Sequence, residues 1–200
     1  MDPNKKIILA SGSIRRKELL EEAGFTFEQI VSGAEENITD YKDADDYAKK
    51  TSVLKGKAVL ADVIDNPDYQ NCTIISADTV ICHKGRILEK PKDKQDAFNM
   101  LKGLSNDTHF VVTGVSVFDV KDGKVASITE SDKTFVTFRK MTDAEIWDYV
   151  NTGEPMGKSG SYAIQQGAKK FVEKIDGDIL TVVGLPIKLV KKLLSERGSL

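Results

Sequence analysis

The sequence is poor in the residues that staple or metallate a small protein. Its 200 residues include two cysteines and two histidines. Cys72 and Cys82 cannot build a disulfide framework or a four-ligand zinc site. Both lie in or beside an apolar run, which predicts buried free thiols. Neither His83 nor His109 has a ligand partner at i+3 or i+4, which argues against a His-based zinc centre, and His83 beside Lys84-Gly85 is expected to be exposed. An excess of charge is missing too: 29 Lys and Arg against 31 Asp and Glu give a formal net charge of −2. A chain so balanced is not a bulk binder of nucleic acid or of a membrane surface, so any anion site must be a local cluster. No run approaches the ~18 apolar residues of a membrane span, and the four apolar residues after Lys6 are too few for a signal-peptide core. A soluble cytoplasmic protein is the expectation. No Gly-x-Ser-x-Gly elbow and no Walker A loop is present, which argues against an α/β-hydrolase and a P-loop enzyme. Repeats, low-complexity segments and linkers are absent, so a single domain over residues 1–200 is expected.

What is present is enough apolar material, 40% of the chain, to fill a core. Residues 7–10 read as a buried strand, and RRKELLEEAG as a helix closed by Gly24. Residues 25–31 alternate like a second strand. A helix is expected over 43–64, with Asp43, Asp45 and Asp46 in its first turn. TIISADTVIC (73–82) is strongly β-type and turns at Lys84-Gly85. A helix over 93–103 follows, then two β-rich runs, 109–120 and 124–138, joined by Lys121-Asp122-Gly123. Another helix covers 142–151 and carries Trp147 and Tyr149, expected to pack rather than to stack on bases. Residues 153–184 are Gly-rich and read as irregular; Pro186 opens a last helix. Helices and strands alternating early, with a hairpin later, make an α/β fold with a mixed sheet.

Three places carry chemistry. Ser11-Gly12-Ser13-Ile14-Arg15-Arg16-Lys17 joins a strand to a helix start, where free N–H groups and the helix dipole favour an anion. The alternative is a plain Ser13 cap. Against it, Arg16 stands where a capping box wants Glu or Gln, and three basic residues in the first turn oppose the dipole. Asp78 lies inside an apolar strand and needs a metal, a cation or a water it activates, or else a nearby backbone partner. Thr79 beside it reads as a strand former. Lys55-Gly56, Lys90-Pro91 and Lys158-Ser159-Gly160 place lysines beside small or rigid residues; Pro91 fixes the backbone just after Lys90. Glu35-Glu36 ends the second strand and reads, on composition, as a solvated pair.

The blocks LASGSIRRKELL (9–20), SADTVICHKGRILEKPKD (76–93), LSNDTHFVVTGVSV (104–117) and GEPMGKSGSYAIQQGAKKFVEKIDGDILTVVGLP (153–186) follow one another along nearly the whole chain. Together they resemble the Maf family of nucleoside triphosphate pyrophosphatases. The resemblance implies an elongated mixed sheet with flanking helices and a central cleft, of the inosine-triphosphatase (Ham1) type. It implies hydrolysis of a nucleoside triphosphate to the monophosphate and pyrophosphate with a divalent metal, Mg²⁺ or Mn²⁺, and a homodimer. It assigns Ser11, Ser13, Arg15, Arg16 and Lys55 to the substrate, and Asp78 to catalysis. The metal falls to Glu36 (or, in another register, Glu35) with Asp78. Ala77 and Thr79 flank Asp78, Pro91 follows Lys90, and the late block supplies Glu154, Lys158 and Gln165. Arg15, Lys90 and Gln165 resemble the subgroup that prefers dTTP and UTP. A triphosphate suits that cationic set, and with no catalytic histidine a carboxylate is the natural base. An alternative implied by the family's association with septum formation is a nucleotide-binding regulator of division that needs no turnover. Departures are Gly56 for the usual Ala, Ser159, Ser161 and Ala163 for Ala, Ala and Gly, and Gln166 for Gly. Ala163 and Gln166 are expected to resist backbone angles that Gly allows.

Overall fold

The computed structural model describes residues 5–34 and 38–198. In chain order they form β1 (Lys6–Leu9), α1 (Ile14–Glu22), β2 (Glu28–Gln29), α2 (Ala44–Val63), β3 (Asn71–His83), β4 (Arg86–Leu88) and α3 (Lys94–Leu104). There follow β5 (Thr108–Lys121), β6 (Lys124–Phe138), α4 (Asp143–Asn151), β7 (Val172–Asp176), α5 (Ile179–Val183) and α6 (Ile187–Glu196). Local chemistry sets most boundaries. Asp43 and Asp93 each accept from the backbone N–H three residues on, at 2.9 and 2.8 Å, and so start α2 and α3. Thr142 and Glu145 form a reciprocal capping box on α4. Lys84-Gly85 and Asp122-Gly123 both have positive φ at both residues, the geometry of two-residue hairpin turns matched to strand twist.

Two expectations change. The second strand shrinks to two residues, because its partner β1 offers only Ile8 and Leu9 to pair with Glu28 and Gln29. The segment read as irregular contains β7 and α5. β7 is five residues long with three exposed, and it exists because β6 pairs with it, Val136 opposite Ile175.

The described residues fall into two compact units. The first takes them from 1–78, 113–132 and 184–200. Its strands run in the order β2-β1-β3-β5-β6, with β1 parallel to both neighbours. One core gathers Ile8, Val59, Val63, Cys72, Ile74 and Phe118, so α2 lies on β1, β3 and β5. The approach is close: a Cβ on Gly114 would stand 2.5 Å from the Ala48 backbone, and one on Gly56 would stand 2.2 Å from the Phe118 ring. The Ala that the resemblance leads one to expect at Gly56 would therefore not fit, because Phe118 fills the space a methyl would need.

The second unit takes 79–112 and 133–183. Its strand order is β4-β3-β5-β6-β7, with Leu101, Leu104, Phe138, Ile146, Tyr149 and Phe171 buried together. Trp147 stacks on Phe98 with centroids 4.7 Å apart, a packing role. Cys72 and Cys82 are free and buried, and burial pushes the Cys72 thiol up to about 11. His83 is not exposed as expected: its side chain is 11% accessible and its Nε2 lies 2.9 Å from Asp107. The hairpin turn after it sends Lys84 outward and leaves the imidazole beside that carboxylate.

Candidate active site

Asp78 is placed by the alternation of β3. Cys72, Ile74, Ser76 and Asp78 share one face of the strand, and Cys72 and Ile74 pack with Val59 and Val63 of α2. Ser76 and Asp78 continue that face in polar form. Ser76 Oγ donates to the Ser52 carbonyl at 2.7 Å, and Ser52 Oγ lies 2.7 Å from Ser116 Oγ. One helical turn beyond Ser52, Lys55 Nζ donates to Asp78 Oδ1 at 2.6 Å. The two side chains are only 13% and 10% accessible. A charge so enclosed needs its partner: removing one member of such a pair typically costs about 3–5 kcal/mol. The sequence asked what satisfies Asp78, and Lys55 is the answer for one oxygen. Oδ2 has no hydrogen-bond partner among the described residues. Thr79 follows as a half-buried strand residue.

The turn after β1 is fixed on every side. Gln29 Nε2 donates to the Ser11 carbonyl at 2.6 Å. Ser11 Oγ accepts from the Ser13 N–H at 3.2 Å and from Arg16 Nη1 at 3.3 Å. Ser13 is the cap of α1, its Oγ accepting from the Arg16 N–H at 3.4 Å. The three basic residues divide. Arg16 is turned inward, with Nε donating to the Gly184 carbonyl at 2.8 Å. Arg15 is exposed and paired with Glu18 at 3.0 Å, and Lys17 lies 3.8 Å from Glu21. Each has a partner within the protein, so the unfavourable dipole does not by itself demand an anion. Glu35 and Glu36 lie outside the described residues.

In the second unit, Lys90 is exposed, and the neighbouring Glu89 carbonyl accepts from the Gly160 N–H at 3.1 Å, which ties that segment to the late block. Lys158 Nζ donates to the Glu154 carbonyl. Gln165 is exposed, and its side chain makes no hydrogen bond among the described residues. Neither Ala163 nor Gln166 takes the left-handed angle that Gly would allow. Gln166 has φ −116°, and the non-glycine residues with positive φ are Lys84, Asn106, Asp122 and Ser161 among those described. Ser161, at φ 63°, carries the left-handed position instead. Tyr149 is buried as expected, yet its hydroxyl donates to Glu154 at 2.7 Å. The one available signal was a phenol where a phenyl would pack equally well.

Residues 6–197 match the family described as Maf-like protein. A "dTTP/UTP pyrophosphatase" of Bdellovibrio bacteriovorus is 42% identical over 190 residues, covering 95% of this chain and 97% of its own. Proteins of the same name from Clostridium botulinum (strain Kyoto) and Bacillus thuringiensis subsp. konkukian are 42% and 45% identical, covering 97% and 94% of this chain and 98% and 94% of their own. The solved structure of the Staphylococcus aureus Ham1 protein superimposes with a TM-score of 0.50 at 14% identity, over 96% of this chain and all of that one, a likeness of fold. The class is thus a mixed α/β protein of Ham1-like fold. The chain belongs to the Maf family.

Proposed function

We propose that the protein is a nucleoside triphosphate pyrophosphatase acting on dTTP, UTP and related pyrimidine nucleotides, releasing the monophosphate and pyrophosphate. The observation that carries this reading is the identity of 42–45% over nearly the whole chain to proteins named for that activity. The buried Lys55–Asp78 pair supports it chemically. A protein that only held a nucleotide would gain nothing from an enclosed carboxylate, which repels phosphate.

In this reading Asp78 Oδ2 accepts the proton of the water that attacks the α-phosphorus, while Lys55 holds Oδ1 and so the plane of the carboxylate. Arg15, Lys90 and the turn at Ser11 and Ser13 bind the triphosphate, and Arg16 keeps that turn in shape. Gln165 meets the base: its amide offers both a donor and an acceptor to the O4 and N3–H edge of uracil or thymine.

Among the described residues no group of three or more His, Cys, Asp or Glu forms a metal site. Mg²⁺ is commonly held by one or two carboxylates with substrate phosphates and waters, and the Asp78 carboxylate is a hard oxygen donor that fits that chemistry. Asp78, with Glu36 beyond the described residues, would hold the ion. When bound it supplies charge neutralisation on phosphate oxygens and lowers the pKa of water. A dimer and a cytoplasmic location belong to the same proposal and rest on the family resemblance. No described helix is long and apolar enough to cross a membrane.

The test is product analysis with a panel of triphosphates, with and without Mg²⁺ or Mn²⁺. UTP and dTTP should give monophosphate and pyrophosphate, with kcat/KM at least about tenfold above ATP and GTP. Orthophosphate as the product, or a purine as the best substrate, would overturn the assignment. Tight nucleotide binding with no turnover would favour the regulator.

A further inference from the structure

Residues 163–167 form a tight turn, closed by the Gln166 N–H donating to the Ala163 carbonyl at 3.1 Å. Both ends of the turn rest on the same two side chains. The Ala163 N–H donates to the Tyr149 hydroxyl oxygen at 3.2 Å. The Gly167 N–H donates to both oxygens of Glu154, each at 3.1 Å. Tyr149 closes the bracket by donating its own proton to Glu154 Oε1 at 2.7 Å. The bracket is itself anchored, since Tyr149 is 1% exposed and meets Phe171 edge-on, with centroids 5.5 Å apart. Burial, helped by the bond to Glu154, raises the phenol's pKa, so the hydroxyl stays a donor at neutral pH. A Cβ on Gly167 would lie 2.9 Å from the Tyr149 ring and 3.0 Å from Glu154 Oε2; the turn sits directly on the pair. One residue earlier, the Tyr162 hydroxyl lies 2.7 Å from His109 Nε2. Between these fixed points Ile164 is buried and Gln165 is exposed.

A phenylalanine at 149 would fill the core as well. The hydroxyl and the carboxylate are spent on backbone groups at both sides of one exposed amide. We propose that Tyr149 and Glu154 are positioning residues for base discrimination: they fix the backbone from which the Gln165 side chain reaches the base and thereby set the preference among pyrimidine nucleotides. This rests on the reading that Gln165 recognises the base. A recognition group must be held within about 0.5 Å and 10–20° to discriminate, and the two hydrogen-bonded ends of this five-residue turn hold the backbone that carries it.

The experiment measures kcat and KM for UTP and CTP in the wild type, Tyr149→Phe, Glu154→Gln, Glu154→Ala, Gln165→Ala and the double variant Tyr149→Phe/Gln165→Ala. Thermal melting of each protein accompanies the kinetics. CTP presents a donor where UTP presents an acceptor, so the UTP/CTP ratio of kcat/KM reports the amide's orientation. Tyr149→Phe should lower that ratio about three- to tenfold, through the KM for UTP more than through kcat. Glu154→Gln keeps an acceptor for Gly167 and should fall between the wild type and Glu154→Ala. The double variant should show the ratio of Gln165→Ala alone. If Gln165→Ala collapses the ratio while folded Tyr149→Phe and Glu154→Gln keep it, the base reading stands and the positioning role is overturned. Multiplicative losses in the double variant overturn it as well. If Gln165→Ala keeps the wild-type ratio, the base reading fails first and this inference falls with it.

Discussion

The two units hold their polar groups in opposite ways. In the first, the candidate chemical groups are tied to one another. Lys55 is bound to Asp78, Arg16 to Ser11 and Gly184, and Gln29 to the Ser11 carbonyl. In the second, Tyr149 and Glu154 are tied to each other and to backbone, and the candidate recognition group is left out of the ties. Tyr149 and Glu154 hold the ends of a turn, and Gln165 stands exposed between them. The difference follows from what each task requires. A carboxylate that moves a proton must be kept in place, and an enclosed charge is stable only when paired. A group that reads a ligand must keep its donor and acceptor unspent, because a bond made within the protein would compete with the ligand's. On the proposed reading the first unit carries the candidate base, Asp78, and the second carries the group that reads the nucleotide, Gln165.

Asp78→Asn is the sharpest way to break that division. Asn keeps the shape and an oxygen for Lys55 but cannot take the water's proton. Turnover should fall by about 10²–10⁴, the usual contribution of a general base. The UTP/CTP ratio of the residual activity should stay at the wild-type value, since the residues that read the base are untouched. Steady-state kinetics with pyrophosphate detection checks both. Near-normal turnover in a folded variant would remove Asp78 from the mechanism.

The second unit should also be the acid-sensitive one. His109 is 2% exposed, and its Nδ1 has no hydrogen-bond partner among the described residues. Phe138 and Tyr162 face its ring. Burial, with His83 nearby, lowers its pKa from 6.5 to about 4; Asp107 acts weakly in the other direction. In the unfolded chain the imidazole takes a proton near pH 6.5, before the folded protein can. Stability is therefore whole above pH 6.5, falls between pH 6.5 and 4, and levels off below that. The loss from this residue is about 3 kcal/mol. Asp107, held well below the usual carboxylate range by Lys84 and His83, contributes only in stronger acid. Urea melts from pH 7.5 to 4 should show the decline in the wild type and a flatter profile in His109→Gln. An unchanged slope in that variant would place the acid sensitivity elsewhere.

How much of this was legible depended on distance along the chain. The starts of α2, α3 and α4 and both hairpin turns are set by residues within three positions of one another, so the sequence placed helices over 43–64, 93–103 and 142–151 and turns at Lys84-Gly85 and Lys121-Asp122-Gly123. β7 and α5 were not legible, because a five-residue edge strand is defined by the neighbour it pairs with rather than by its own pattern. Asp78 was visible as a carboxylate in an apolar strand. Its partner lies 23 residues away, and composition marked Lys55 as one more surface lysine until the family resemblance singled it out. Arg16 stood out because it takes the place of a capping-box acid and opposes the helix dipole; the carbonyl it meets is 168 residues further on, beyond any local pattern. Ala163 and Gln166 were singled out for angles that Gly allows, and the left-handed angle falls at Ser161, since which residue of a loop takes it depends on the bonds the loop makes.

The smallest effects come from the helix start, and they test the comparison within a single turn of α1. Arg16, Arg15 and Lys17 have the same charge sign and adjacent positions, yet only Arg16 is built into the first unit. Arg16→Ala removes bonds to the Gly184 carbonyl and to Ser11 Oγ. Hydrogen bonds from a charged donor are worth about 1.5–3 kcal/mol, so a loss of that order should appear in the denaturation midpoint. Arg15 and Lys17 make exposed pairs with Glu18 and Glu21, which contribute little to stability. Arg15→Ala should leave the midpoint alone and raise the KM for UTP; Lys17→Ala should change neither, the smallest effect of the series. If Arg15→Ala lowers stability as much as Arg16→Ala and leaves KM unchanged, the segment is a helix cap with surface ion pairs and no phosphate site.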